Sequence, residues 1–193
     1  LTLTRGIFSP TTNVNLTGNL VVSGSNMNPE PAGDTGDLVF SGSGLQTVTN
    51  SGGETDSISE VTVTNTDASG VRLDNNITFS KLVVNTNAVF NANDKVLTIS
   101  DDTWTITNPG TFTSGTGTVL FTKGSGTVTL TTGGDPFYHL AFNDGGGSAV
   151  YQLADPLTVN GNLAIQGGSL STGANHAVTL QGNFTNSDIF TGN

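Results

Sequence analysis

The segment Leu157-Thr-Val-Asn-Gly-Asn-Leu-Ala-Ile165 is followed closely by Val178-Thr-Leu-Gln-Gly-Asn-Phe-Thr-Asn186. The offset from Asn162-Leu-Ala-Ile165 to Asn183-Phe-Thr-Asn186 is 183 − 162 = 21, and Val178-Thr-Leu180 lies between them. In most of these triplets apolar residues flank a small or polar one, the period-2 signature of a strand with one buried face. Recurrence at about 20 residues is the length of one solenoid coil. The stretch therefore reads as consecutive coils of a stacked β structure.

The pattern extends back along the chain. Leu97-Thr-Ile99, Thr103-Trp-Thr-Ile-Thr107, Thr118-Val-Leu-Phe-Thr122, Thr127-Val-Thr-Leu-Thr131 and His139-Leu-Ala-Phe142 alternate in the same way. Turn formers separate them: Asn108-Pro-Gly110, Gly124-Ser-Gly126, Gly133-Gly-Asp-Pro136 and Asp144-Gly-Gly-Gly147. No stretch sustains a 3.6-residue period, so essentially no helix is expected.

A longer spacing overlies the short one. Segments opening at Leu1, Leu82 and Leu163 look alike, and 82 − 1 = 81 equals 163 − 82 = 81. Phe40 and Phe121 are again 121 − 40 = 81 apart, each followed within a few residues by Ser-Gly. This predicts one continuous unit over residues 1–193, with repeat copies near 1–81 and 82–162 and a partial copy over 163–193. Four coils of about 20 residues would fill each copy. Tandem β-sandwich domains are the alternative, because strands every 8–12 residues also mark that fold. Very short strands and the quarter-length recurrence favour the solenoid.

Composition supports an all-β chain and excludes several functions. Only 10% of the 193 residues are charged and Gly numbers 26, so the material for exposed helix faces is missing. Lys and Arg total 5 against 15 Asp and Glu, a formal net charge of −10. That sign repels phosphate backbones, and no basic cluster offsets it, so no nucleic-acid partner is expected. Anionic membrane surfaces are disfavoured likewise, and no apolar run approaches the ~20 residues of a membrane span. With no cysteine, disulfides and thiolate metal sites are excluded.

Leu157–Ile165, Gly168-Ser-Leu-Ser-Thr-Gly-Ala-Asn175, Val178–Asn186 and Gly110-Thr-Phe-Thr-Ser-Gly-Thr-Gly-Thr-Val-Leu-Phe121 resemble bacterial β-strand-repeat surface proteins. These are the filamentous-haemagglutinin-like and autotransporter-passenger-like β-solenoids. The resemblance covers nearly all of 82–193 and, more weakly, 1–81. It implies an extracellular or cell-surface right-handed parallel β-helix, part of an adhesin, fibre or envelope layer. The segment Asn26–Gly36 departs from the second copy and is expected to form a loop off one coil.

Candidate chemistry is sparse. Carbohydrate-active β-helices, the alternative function, need clustered carboxylates with a basic group or a metal. Arg5, Arg72, Lys81, Lys95 and Lys123 are scattered singly. Asp101-Asp102 is the adjacent acidic pair; on a strand the two would face apart, so solvated turn residues are expected. Asp34, Asp37, Asp135 and Asp144 could offer oxygen to Ca²⁺, but their spacing matches neither an EF-hand nor a nonapeptide repeat. His139 and His176 share no ligand spacing. Thr62-Val-Thr64, Thr103-Trp-Thr105, Thr111-Phe-Thr113, Thr116-Gly-Thr118 and Thr127-Val-Thr129 are too irregular for an ice-binding face, and suit outward strand positions. Asn13 and Asn175 are expected to stack into side-chain ladders. No catalytic, cofactor-binding or metal-binding residue is assigned, and no enzyme is expected.

Neither end reads as a polar cap: Leu1-Thr-Leu3 opens directly into the strand pattern and Ser187–Asn193 stops within a repeat. The expectation is a longer repeat chain, or self-association end to end into a fibre. The many hydroxyl and amide groups suit a carbohydrate or surface ligand. The sequence thus predicts a structural or adhesive extracellular repeat module.

Overall fold

In the computed structural model, which describes residues 1–4, 6–7, 10–23, 27–28, 36–51, 57–58 and 60–192, every strand pairing is parallel. The described residues contain no helix. The chain winds as a β-solenoid of three faces, with about 22 residues per coil and about eight turns.

Face one stacks Thr2–Leu3, Leu20–Val22, Gln46–Asn50, Val71–Leu73, Val89–Asn91 and Thr111–Thr113. It resumes with Leu157–Val159 and Val178–Leu180. Face two stacks Ser57–Ile58, Ile77–Phe79, Val96–Ile99, Thr118–Phe121, His139–Phe142, Leu163–Ile165 and Phe184–Asn186. In the first two coils a separate pair, Gly6–Ile7 and Met27–Asn28, occupies that place in chain order. Face three is the deepest, nine strands from Val14–Leu16 to Ile189–Thr191.

Strand triplets such as Val61–Val63, Leu82–Val84 and Leu163–Ile165 bury their two outer residues and turn the middle one outward. Stacking turns those inward residues into one continuous core, which no single coil could close alone. An aromatic column runs through the later coils. Phe90 stacks on Phe112 (6.2 Å) and Phe121 on Phe142 (5.5 Å), while Trp104 meets Phe112 edge-on at 4.8 Å.

The coil, at about 22 residues, is close to the expected length of about 20, but it varies along the chain. Val71 pairs with Phe90, a step of 90 − 71 = 19, whereas Leu20 pairs with Val48, a step of 48 − 20 = 28. With about 22 residues per coil, the offset of 81 between similar segments is not a whole number of coils. Accordingly the three similar segments fall on three different faces: Thr2–Leu3 on face one, Leu82–Val84 on face three and Leu163–Ile165 on face two. The expected loop at Asn26–Gly36 lies largely outside the described residues, but Met27–Asn28 within it is a strand.

Candidate functional site

Among the described residues, every Asp, Glu and Lys lies between strands, where the solenoid makes its corners. Between faces two and three, successive coils place Asp37, Glu60, Lys81, Asp101–Asp102 and Lys123 just before the face-three strands. Lys81 Nζ pairs with Glu60 and stands 3.7 Å from Asp102 Oδ1; Lys123 Nζ pairs with Asp101 and stands 3.8 Å from Asp102 Oδ2. Asp102 thus bridges two lysines, one from the coil on each side. Thr62 Oγ1 donates to Asp37 Oδ2 at 2.9 Å at the head of the same corner.

Two expectations are corrected here. Asp101-Asp102 is not merely solvated: it sits at a bend, where both carboxylates turn toward the ammonium groups of Lys81 and Lys123. Lys81 and Lys123 are not isolated cations but rungs of one ladder, and Arg72 pairs with Asp74 at 3.0 Å. Arg5 lies outside the described residues. A usable signal was present: Glu60, Lys81, Asp102, Lys123 and Asp144 recur at a constant offset with alternating sign (81 − 60 = 102 − 81 = 123 − 102 = 144 − 123 = 21).

Burial works to lower the Lys81 pKa, but the Glu60 hydrogen bond and charge, with Asp102 and Asp101, outweigh it and raise the value above the ordinary 10.5. Lys81 is a fixed cation, not a proton acceptor. Burial raises the Glu60 pKa; Lys81 opposes this and Asp37 adds to it. A lysine whose folded pKa is raised contributes stability that is complete below its unfolded value and disappears as pH climbs through the higher folded value. Thermal melts from neutral pH to about pH 12 should therefore fall more steeply above pH 10.5 for the native chain than for Lys81→Met. Parallel alkaline limbs would contradict the pairing. Each partly exposed pair is worth only about 0–1 kcal/mol.

At the other corners, polar side chains accept backbone N–H groups from the next coil. Asn76 Oδ1 takes Val96 N–H (2.8 Å), Asp94 Oδ1 takes Thr116 N–H (2.6 Å), His139 Nδ1 takes Asn162 N–H (2.9 Å) and Asn162 Oδ1 takes Asn183 N–H (3.1 Å). The Thr116 backbone and hydroxyl bonds hold the Asp94 carboxyl below its usual range. Asp155 grips Thr132 N–H and Gly133 N–H, both at 2.8 Å. Corner Asn residues do form inter-coil ladders, and Asn13 belongs to them through Asp37 N–H (3.1 Å). Asn175 instead sits exposed with φ 67°.

The remaining candidates do not converge. Asp37 and Asp144 lie five coils apart on one corner, Asp135 lies near face one, and Asp34 is outside the described residues. Asp144 is buried, capping its own turn through Gly146 N–H (3.0 Å) and Ala149 N–H (3.1 Å). His139 begins a face-two strand, whereas His176 precedes a face-one strand two coils later. Thr103 and Thr105 stack in register on Thr129 and Thr131, but Val83 interrupts the Thr105–Thr131 line in the preceding coil and Gln152 the Thr103–Thr129 line in the following one.

These features define a parallel β-solenoid with charged and amide-capped corners. Compared with protein families, curated proteins and solved structures, the chain matches none.

Proposed function

We propose that the chain is a non-catalytic structural module of an extracellular or cell-surface fibre, stalk or filament, of the kind adhesins carry. One observation carries this reading: a run of polar side chains at the corners is committed to the coil above or below. Asp94, Asp155, Asn76, Asn162 and His139 each take a backbone N–H across a coil step, and Lys81 and Lys123 pair across coil steps. Carboxylates and imidazoles spent on axial continuity serve mechanical integrity. A catalytic pair needs them convergent on a substrate.

Phe184, Ile189 and Phe190 are 47%, 55% and 41% exposed, beside the partly buried Val178 and Leu180. The eight steps of face three span about 38 Å at ~4.8 Å per step. Immunogold electron microscopy on intact, unpermeabilised source cells is the test. Label along thin fibres or a surface layer is expected; label confined to the cell interior would sink the proposal.

A further inference from the structure

The face-one ladder is interrupted between Thr111–Thr113 and Phe137. Phe137 bridges forward to Val159, but no backbone pairing joins it to the preceding coil among the described residues. Two side-chain bonds replace the ladder: Phe112 N–H donates to Asp135 Oδ2 at 2.6 Å, and Tyr138 N–H donates to Ser114 Oγ at 3.0 Å. A side chain inserted in each link leaves an open cleft of about 350 Å³ between the two coils. Thr111, Thr113, Asp135, Tyr138 and Asn160 line it, with buried Phe112 as part of its floor.

We propose that this cleft binds a neutral oligosaccharide, with a sugar ring on Tyr138 and its hydroxyls on Asp135 and Asn160. The volume falls in the range of small-ligand sites, which combine apolar lining with a few placed polar groups. A pyranose has the same two-sided character: a C–H face for an aromatic ring and hydroxyls at its rim. Tyr138 is half-buried and packs edge-on against His139 at 4.6 Å, and His139 is fixed by Asn162 N–H, so the ring is ordered before any ligand arrives. Asp135 is anchored through Oδ2, and no protein donor reaches Oδ1 among the described residues. Burial raises the Asp135 pKa, opposed by the Phe112 bond, so the carboxylate is partly withdrawn from water. A sugar hydroxyl donating to it would form a charge-assisted bond. Asn160 and the two threonines are exposed and offer both donors and acceptors. The carboxylate and the net charge of −10 disfavour acidic saccharides.

The site rests on the structural-module reading only for its setting, and the two fail separately. Titration of the ¹⁵N-labelled full chain with cellotriose, maltotriose, mannotriose and tri-N-acetylchitotriose tests the cleft. At least one of these probes should give saturable amide shifts centred on Asp135, Tyr138 and Asn160. Tyr138→Ala should weaken that binding about tenfold or more. Asn160→Ala, at an exposed position that leaves the fold intact, should weaken it about threefold or more. Absence of localised saturable shifts with all four sugars would overturn the proposal, as would undiminished binding by the variants. If Tyr138→Ala fails to fold, Asn160→Ala decides. Surface labelling in microscopy is indifferent to either result.

Discussion

Replacing Trp104 by Ala is expected to lower unfolding free energy by about 3–5 kcal/mol, the usual cost of truncating a fully buried large aromatic. Trp104 is 0% exposed and joins three rings: Phe112 at 4.8 Å, Phe137 at 5.2 Å and Phe121 at 5.8 Å. These rings come from the same coil and its successors, so the indole stitches the core along the axis as well as across it. In a solenoid whose coils touch only their neighbours, such a loss stays local before it becomes global. Hydrogen exchange should thus accelerate first in residues 103–142, ahead of the earlier coils. Urea denaturation followed by circular dichroism measures the total. Trp104→Phe should cost less than Trp104→Ala, because it keeps a ring and removes an indole N–H that has no partner in the described structure. A loss below about 1 kcal/mol for Trp104→Ala would mean that the aromatic column does not hold the coils together.

How legible the solenoid is from sequence follows from what a strand triplet encodes. Val61-Thr-Val63 and Leu163-Ala-Ile165 state which residues point inward, and the structure buries them as the alternation implies. They do not state which of three faces they occupy, because an inward-outward-inward triplet fits any of them. The similarity between Leu82–Val84 and Leu163–Ile165 is therefore a likeness of strands rather than of positions, and the two lie on different faces. Unequal steps, from 19 between Val71 and Phe90 to 28 between Leu20 and Val48, blur the coil period further. Corners absorb such insertions without disturbing the ladders. The corner charges were less accessible still. Asp101-Asp102 acquires its meaning only from Lys81 and Lys123, one coil before and one coil after, which a local reading of motifs does not join. The face-one cleft left no sequence signal: it exists because Asp135 and Ser114 side chains displace backbone bonds between two coils.

Gly147→Ala should destabilise the chain by about 2–4 kcal/mol, combining overpacking with a lost hydrogen bond. A Cβ at Gly147 would lie 1.8 Å from the Gly124 carbonyl oxygen and 2.8 Å from its carbon, both backbone atoms that cannot rotate aside. That same oxygen accepts Ser148 N–H at 3.0 Å, the bond that opens the register of Ser148–Leu153 on Ser125–Thr131. Six consecutive positions follow from it, Ser125 opposite Ser148 through Leu130 opposite Leu153, so a displaced carbonyl spoils the start of the longest pairing on face three. The buried Asp144 carboxylate, held by Gly146 and Ala149 N–H, fixes the turn from the other side and leaves it little room to yield. Gly124 is the internal control. A Cβ there meets only the Asp144 carbonyl oxygen, at 3.8 Å, and its backbone is outside the left-handed region. Gly124→Ala should therefore change stability by less than about 0.5 kcal/mol, or raise it slightly by restricting the unfolded chain. Two glycines facing each other across one coil step would then differ by more than tenfold in the folded-to-unfolded ratio. Equal effects from the two substitutions in matched denaturation curves would show that close backbone approach at this corner is not what requires Gly147.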